Sequence, residues 1–306
     1  MKHDRVSEIL ANYDSDSPGT RAQIARILLA GRLGGTGRVV ILPIDQGVEH
    51  GPARSFASNP PAYDPLYFFE LAIDAGLNAL AGPLGLIEAG AAHFAGRIPL
   101  ILKVNNANGL FPKAAPKDQA VTAGVEDALR LGCAAIGFTL YPGSEKSYAM
   151  MEEARALIAE AKRVGLATVV WAYARGGDLT SEDETALDVS AYSAQIAAQL
   201  GAHVLKLKLP SSAFQDPQAK ALYDKNGIAY GTLADRVRHV VESAFAGRRI
   251  VIFSGGPQKS EDALLEECRA IATGGGYGSI IGRNAFQRPR AEALALLDRI
   301  VTAYGG

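Results

Sequence analysis

Residues 202–209 have the sequence Ala-His-Val-Leu-Lys-Leu-Lys-Leu and follow a stretch of helical spacing at 186–200. A strand turns successive side chains to opposite faces, so Lys206 and Lys208 are predicted to point the same way. If this strand is central, the two ammonium groups share a poorly solvated space and lower each other's pKa. A lysine that is neutral near pH 7 is a nucleophile for carbonyl groups. The alternative is a strand with one wet face and two solvated lysines.

This alternation of helix and strand recurs along the chain. Short apolar or β-branched runs alternate with Ala/Glu/Leu-rich stretches, giving roughly eight β units. The pattern predicts an α/β protein with the (β/α)8 TIM barrel fold. A doubly wound open sheet is the main competitor, but no Gly-x-Gly-x-x-Gly follows the first run. The predicted strands lie at residues 39–42, 79–81, 100–104, 135–140, 167–171, 204–209, 250–253 and 279–281.

The length of 306 residues is sufficient for two ordinary domains or for one large barrel. Because no linker-like, low-complexity stretch interrupts the sequence, we expect a single barrel domain over residues 1–306. Residues 1–35 are predicted to form an N-terminal helical extension, with one extra helix packed under the barrel.

The composition restricts the partners and the compartment. A net charge of −1 argues against a nucleic-acid partner, because no basic face is indicated. Two cysteines give neither a disulfide framework nor a zinc-binding spacing, which favours a reducing cytoplasm. The sequence has no apolar segment typical of a signal peptide or a transmembrane helix. We therefore expect a cytoplasmic protein without a membrane partner.

Polar residues follow several of the predicted strands. The first strand leads into Asp-Gln-Gly-Val-Glu-His-Gly at 45–51, and the fifth into Trp-Ala-Tyr-Ala-Arg-Gly at 171–176. In a (β/α)8 barrel, catalytic groups lie at the carboxyl ends of the strands and in the loops that follow. The sequence therefore predicts one active site at this end of the barrel. Lys103, on the third strand, is predicted either to enter the same cavity or to lie at the edge of the core.

A phosphate site is predicted after the seventh and eighth strands. Ser254-Gly255-Gly256 follows the seventh strand, and Gly282-Arg283 follows the eighth. Barrels often bind phosphate there with backbone amides, and glycines let the backbone approach the anion. The Arg283 guanidinium can donate two hydrogen bonds to the same anion. The alternative is that the glycines only form tight turns.

Metal chemistry is not indicated by the five histidines. They show no His-x-x-x-His pair on a helix and no facial-triad spacing. We therefore expect neither a metal ion nor an organic cofactor.

These segments together resemble the archaeal-type class I fructose-bisphosphate aldolases, also called the DhnA-type family. The resemblance covers residues from about 36 to 300, as an ordered set of short motifs. The matching segments are 42–52, 171–176, 201–206, 254–256 and 282–283.

The resemblance implies a (β/α)8-barrel lyase that forms a Schiff base without metal. Such an enzyme cleaves fructose 1,6-bisphosphate to dihydroxyacetone phosphate and glyceraldehyde 3-phosphate, in glycolysis or gluconeogenesis. The imine-forming lysine falls on Lys206 rather than Lys208, and the proton-transferring tyrosine on Tyr173. Because relatives form oligomers, we also expect a homo-oligomer. The implied substrate or phosphate contacts are Asp45, Gln46 (a histidine in archaeal members), His50, Trp171, Arg175, Lys208, Ser254, Gly255, Gly256, Gly282 and Arg283.

The residue types fit this chemistry. Lys206 would attack the ketone of a sugar phosphate, and Lys208 would keep it partly deprotonated by repulsion. Tyr173 would move a proton if a nearby cation lowers its pKa. Asp45 would orient hydroxyls and offset the iminium charge, or else cap a helix. Arg175 would hold a second phosphate or pair with a surface carboxylate.

Other functions remain open from sequence alone. A sister activity of the same family is transaldol-type synthesis of a deoxy-heptulosonate, or processing of a phosphorylated dione. A phosphate-binding barrel isomerase would use Asp45 or Tyr173 as its base. A non-catalytic protein that binds sugar phosphates is a further alternative.

Overall fold

The computed structural model describes residues 2–112, 114–256 and 259–305. Eight parallel strands form a closed barrel, which confirms the (β/α)8 prediction. All eight predicted strands are present. The barrel strands are β1 (Val39–Pro43), β2 (Ala79–Pro83), β3 (Leu100–Lys103), β6 (Ala135–Leu140), β7 (Ala167–Ala172), β8 (Val204–Leu207), β9 (Ile250–Ser254) and β10 (Gly278–Ile280). Around the barrel they follow the order β1-β10-β9-β8-β7-β6-β3-β2. Two further strands, β4 (Asn105–Asn106) and β5 (Ala120–Val121), form a separate antiparallel ribbon.

Helices follow the strands and surround the barrel. Two short 3₁₀ helices, Pro60–Tyr63 and Asp183–Thr185, interrupt the connecting loops. The α-helices are α1 (Lys2–Ala11), α2 (Pro18–Leu29), α3 (Gln46–His50), α4 (Pro52–Phe56), α5 (Pro65–Asp74), α6 (Leu84–Gly90), α7 (Val125–Arg130), α8 (Ser147–Arg163), α9 (Leu187–Gln199), α10 (Pro217–Asn226), α11 (Leu233–Ser243), α12 (Glu261–Thr273), α13 (Arg283–Phe286) and α14 (Arg290–Ala303).

The alternation of side chains in β8 separates two apolar cores. Leu205 and Leu207 pack in the layer between the barrel and its helices. Val204 packs in the core inside the barrel, together with Trp171 from β7. Trp171 is the parallel-sheet partner of Lys206, so both side chains belong to the inner face. The period of two in residues 202–209 therefore directs the lysine side chains to the barrel interior.

The N-terminal segment contains two helices, α1 and α2, where the sequence predicted one. Their apolar side chains, including Ile9 and Ile24, join the core inside the barrel. The hydroxyl of Tyr13, in the connection between them, donates a 2.7 Å hydrogen bond to the carbonyl oxygen of His203, just before β8. The helices therefore cover the amino ends of the strands and leave the carboxyl ends open.

Cys133 and Cys268 are both buried and unpaired. Within the described part of the chain, no helix has the length and apolar character needed to cross a membrane.

Candidate active site

A cavity of about 520 Å³ lies at the carboxyl ends of the barrel strands, and we call it the active-site cavity. The structure brings all of the predicted site residues to this cavity except Trp171. The predicted residues that line it are Asp45, Gln46, His50, Tyr173, Arg175, Lys206, Lys208, Ser254, Gly255, Gly256, Gly282 and Arg283.

Lys206 lies in the wall of this cavity, and its side chain is almost fully removed from solvent. The residue is 5% exposed. Burial lowers the pKa of its ammonium group to about 8, because the charged form loses hydration. The carboxylates of Asp45 and Glu49 oppose this shift, whereas the positive charges of Arg283 and Arg175 add to it. About a tenth of Lys206 is therefore neutral and nucleophilic at pH 7, far more than of a solvated lysine.

Lys208 lines the same cavity, as the strand periodicity predicts, but its charge is neutralised. Its ammonium group forms a close ion pair with the carboxylate of Glu184. The like charges that lower the Lys206 pKa most strongly are accordingly arginines, not Lys208 as the sequence indicated. The positive charge that favours the neutral form of Lys206 therefore comes from Arg283 and Arg175 rather than from Lys208.

Tyr173 directly follows β7 and lies against the lysines. The Nζ atom of Lys206 is 5.3 Å from the centroid of its ring, and that of Lys208 is 5.9 Å away. Burial raises the pKa of the phenol far above its usual value and the nearby Asp45 raises it further, whereas Ser254 and the positive charge of Arg175 lower it. A neighbouring cation therefore acts in the predicted direction, but burial outweighs it in the ligand-free protein. The phenol is protonated and can donate a proton.

Asp45 follows β1 and occupies the N-cap position of α3, yet its side chain makes no capping hydrogen bond. The capping interpretation of this residue is therefore not supported. Its carboxylate instead faces the cavity. The residue is 5% exposed, which keeps the charge effective at short range because little water screens it.

A buried lysine supports two acidic side chains at the cavity. Lys103 is 1% exposed, and its Nζ atom lies 3.4 Å from Glu49 Oε1 and 4.0 Å from Asp45 Oδ2. The same ammonium donates a 2.6 Å hydrogen bond to the carbonyl oxygen of Asn105. Burial and the charge of Asp45 raise the pKa of Glu49, while Lys103 lowers it. Lys103 thus lies beneath the cavity lining and holds both carboxyl groups in place.

Two glycine-containing turns, residues 254–256 after β9 and 282–283 after β10, form what we call the phosphate cradle. Gly282 packs so closely that an added Cβ atom would lie 2.8 Å from the carbonyl oxygen of Pro43. Gly256 has a φ of +67°, a conformation that favours glycine. These positions therefore need glycine for steric reasons, and the bare backbone leaves room for an anion at the cavity wall.

Two further residues lie next to the phosphate cradle. Asn284 links the two turns of the cradle, because the Asn284 side-chain amide donates a 3.3 Å hydrogen bond to the Gly255 carbonyl oxygen. Lys259 also lines the cavity, and its Nζ atom lies 2.7 Å from Glu267 Oε1. The cradle thus has one cation, Arg283, from the predicted set and a second one that sequence reasoning missed.

Trp171 lies inside the barrel rather than in the cavity lining. It is 1% exposed, and its ring centroid is 5.2 Å from Lys206 Nζ. Gly137 on the neighbouring strand makes room for the indole, because a Cβ atom there would lie 2.1 Å from the ring. The structure therefore places Trp171 against the Lys206 side chain, and its role as a substrate contact stays a prediction.

His50 and Gln46 line the cavity from helix α3. Burial, together with the positive charges of Arg283 and Arg54, lowers the pKa of His50, so its imidazole is neutral at pH 7. The Gln46 Oε1 atom is buried and has no hydrogen-bond partner among the described residues. Both side chains can therefore serve as neutral hydrogen-bonding groups for a polar ligand.

Sequence reasoning missed several residues of the lining. Glu49 is four positions after Asp45 in α3, a spacing that places both on one helix face and gave a usable signal. Tyr141 follows β6, and its ring lies 5.7 Å from the Arg175 guanidinium. Glu184 is not part of the lining, but it pairs with Lys208; it comes from the loop between β7 and α9, where no periodicity predicts a position.

Metal ligation requires a cluster of His, Cys, Asp or Glu side chains. In the ranges that the structure describes, no group of three or more such side chains is arranged to hold a metal ion. Reaction without a metal stays a prediction, and it depends on Lys206 supplying the electron sink.

The closed barrel and its buried, partly neutral lysine define a (β/α)8-barrel enzyme of the lysine-dependent aldolase class. The chain belongs to the DeoC/LacD family of aldolases, whose sequence model matches residues 39–288. It is therefore a carbon–carbon lyase. This result confirms the family resemblance and the enzyme class that the sequence predicted.

Individual relatives agree with this family. A Chlamydia trachomatis protein named probable fructose-bisphosphate aldolase class 1 is 36% identical over 98% of this chain and 88% of its own length. The class 1 fructose-bisphosphate aldolase of Thermoproteus tenax is 36% identical over 88% of this chain and 91% of its own. A solved archaeal fructose-1,6-bisphosphate aldolase, with its catalytic lysine bound to a carbinolamine intermediate, has a TM-score of 0.76. Its sequence is 30% identical to this chain, and the alignment covers 92% of this chain and 98% of that structure's chain.

Proposed function

We propose that this protein is a Schiff-base aldolase that cleaves fructose 1,6-bisphosphate to dihydroxyacetone phosphate and glyceraldehyde 3-phosphate. The observation that carries the proposal is Lys206, a buried lysine with a pKa lowered to about 8 in a cavity of sugar-phosphate size. The names of the Thermoproteus tenax relative and the archaeal structure support the same substrate.

The order of the strands determines the orientation in which the substrate lies in the cavity. The phosphate cradle follows β9 and β10, Lys206 belongs to the adjacent β8, and Arg175 follows β7. A C1 phosphate in the cradle puts the C2 ketone close to Lys206 and sends the rest of the sugar chain towards Arg175. Arg175 and Lys208 then form the distal end of the site, where a C6 phosphate binds.

The reaction begins at the nitrogen of Lys206. Neutral Nζ attacks C2, and loss of the former carbonyl oxygen as water leaves an iminium ion. The C4 hydroxyl then loses its proton, and the C3–C4 bond breaks with its electron pair passing to the iminium nitrogen. Glyceraldehyde 3-phosphate leaves, and the enamine takes a proton at C3. Hydrolysis of the resulting iminium releases dihydroxyacetone phosphate and regenerates Lys206.

Tyr173 and Asp45 take the proton-transfer and electrostatic roles. The phenol of Tyr173 is protonated in the free site. Once the iminium cation has formed beside its ring, the cation lowers the phenol pKa, so that the phenol can release its proton to solvent. The resulting phenolate takes the proton of the C4 hydroxyl and then passes it to C3 of the enamine, which restores the balance of protons at the site. The buried carboxylate of Asp45 orients substrate hydroxyls and offsets the iminium charge.

Borohydride trapping with dihydroxyacetone phosphate tests the proposal. The wild-type protein should form a reduced adduct that mass spectrometry locates on Lys206, and Lys206→Met should form none. Lys220→Met, which changes an exposed lysine far from the cavity, is the matched control and should trap normally. An adduct on Lys208 would show that Lys208 is the nucleophile instead of Lys206. No adduct on the wild-type protein would favour an isomerase or a binding protein.

We also propose a cytoplasmic, homo-oligomeric enzyme of glycolysis or gluconeogenesis. Two buried, unpaired cysteines fit a reducing compartment. Exposed aromatic side chains such as Tyr148 and Tyr192 offer apolar area for contacts between subunits.

A further inference from the structure

The distal end of the active site already holds a negative charge of the protein itself. The Glu184 carboxylate forms a close ion pair with Lys208 and lies 3.5 Å from Nε of Arg175. All three side chains are only partly exposed, at 24% for Glu184, 23% for Lys208 and 36% for Arg175. The two cations at this end of the cavity therefore share one internal counter-ion.

Both cations have aromatic contacts that do not involve the Glu184 carboxylate. The Arg175 guanidinium lies 5.7 Å from the ring centroids of both Tyr141 and Tyr173, which fixes it between two aromatic faces. Lys208 is likewise 5.9 Å from the Tyr173 ring. Glu184 belongs to a single 3₁₀ turn, Asp183–Thr185, in the connection between β7 and α9. A rotation of the Glu184 side chain would release both cations without moving either of them.

We propose that Glu184 is a specificity-determining residue that competes with the distal phosphate of the substrate for Lys208 and Arg175. This inference rests on the proposed function, because it assumes that a ligand enters with one phosphate in the cradle and another at the distal end. A dianionic phosphate offers more negative charge than one carboxylate, so it displaces Glu184 and binds both cations. A ligand with a neutral distal end leaves the ion pairs intact.

Because of this competition, the distal end of a ligand is bound by Lys208 and Arg175 only if it carries a negative charge. A distal phosphate gains its contacts with the two cations but must break the contacts of Glu184, so its net gain is reduced. A neutral hydroxyl cannot displace the carboxylate and gains nothing from either cation. Removal of the Glu184 charge should therefore favour bisphosphates selectively over monophosphates.

The test compares two unreactive ligands, a hexitol 1,6-bisphosphate and the matching hexitol 1-phosphate, by titration calorimetry. Glu184→Gln should tighten binding of the bisphosphate by roughly three- to tenfold, the range expected for loss of one competing, partly exposed charge. Binding of the monophosphate should change by less than about twofold. The charge-conserving Glu184→Asp should bind the bisphosphate more like the wild-type protein does.

Glu182→Gln provides the matched control, because it makes the same chemical change two residues away on an exposed side chain. It should leave both affinities unchanged. Weaker or equal bisphosphate binding in Glu184→Gln would overturn the proposal, since it would mean that Glu184 only holds the cations in position. Borohydride trapping on Lys206 tests the aldolase function separately. A protein that traps normally but shows no effect of Glu184→Gln on bisphosphate binding would contradict only the role of Glu184, whereas a protein that forms no adduct would contradict the aldolase function.

Discussion

The Nζ atom of Lys206 lies 5.3 Å from the centroid of the Tyr173 ring; Lys206 belongs to β8, and Tyr173 directly follows the neighbouring strand β7. Burial acts on them in opposite senses, because it lowers the pKa of the ammonium group and raises that of the phenol. Both groups are therefore shifted towards their neutral forms. A neutral amine next to a neutral phenol combines a nucleophile and a proton donor in one site.

Replacement of Tyr173 by phenylalanine separates these two roles. Tyr173→Phe should leave the imine with dihydroxyacetone phosphate trappable, because Lys206 and the cradle remain. Turnover should fall by roughly 10²–10⁴-fold, the usual contribution of a positioned proton-transfer group. Steady-state cleavage measured beside borohydride trapping checks both parts, and full turnover in the variant would remove Tyr173 from the mechanism.

The lowered pKa of Lys206 predicts the pH dependence of the reaction. Below a pKa of about 8 the amine is mainly protonated and cannot attack the ketone, so kcat/KM should rise about tenfold per pH unit. Above that pKa the neutral amine predominates and the profile should level off until another group titrates. A profile of kcat/KM between pH 6 and 9.5 checks the midpoint. A rise that continues unchanged to pH 9.5 would show an ordinary, solvated lysine.

Arg283 should affect both phosphate binding and this midpoint. Arg283→Ala removes a charge-assisted contact, so binding of dihydroxyacetone phosphate should weaken by roughly 1.5–3 kcal/mol. Its positive charge also lowers the Lys206 pKa, so the midpoint should move to higher pH in the variant. Unphosphorylated dihydroxyacetone is the control ligand, and its weak binding should be unaffected. Equal losses for the two ligands would exclude a phosphate contact.

Sequence periodicity predicted the parts of the site that strand geometry fixes. The period of two in residues 202–209 brought Lys206 and Lys208 to one cavity, and the carboxyl ends of parallel strands brought the cradle beside them. Ionisation states were harder to predict, because they depend on burial and on partners distant in sequence. Glu184 is one such partner, and it neutralises Lys208 from a loop without periodicity.

Trp171 illustrates a second limit of the sequence. Its inward direction follows from strand parity, but its depth depends on the stagger of the barrel strands. The register pairs Trp171 with Lys206, and the absence of a side chain at Gly137 admits the indole to the interior. The motif therefore located Trp171 near the active site, whereas packing decided that its ring lies inside the barrel against Lys206.

Lys103 should be essential to stability, because it is the buried cation between Asp45 and Glu49. Lys103→Met leaves two carboxyl groups without their partner, so the free energy of unfolding should fall by about 3–5 kcal/mol. The control Lys220→Met breaks an exposed pair with Asp224 and should cost less than about 1 kcal/mol.

The pH dependence of this loss identifies its cause. Without Lys103, the raised pKa of Glu49 should rise further, so the folded protein binds more protons than the unfolded chain does. Stability of the variant relative to wild type should therefore decline as the pH increases above about 4.5, the ordinary pKa of a glutamate, because the unpaired Glu49 carboxyl group must then ionise. Urea unfolding of both proteins across this range measures the difference. A loss that is constant with pH would indicate altered packing alone, with no contribution from unpaired charge.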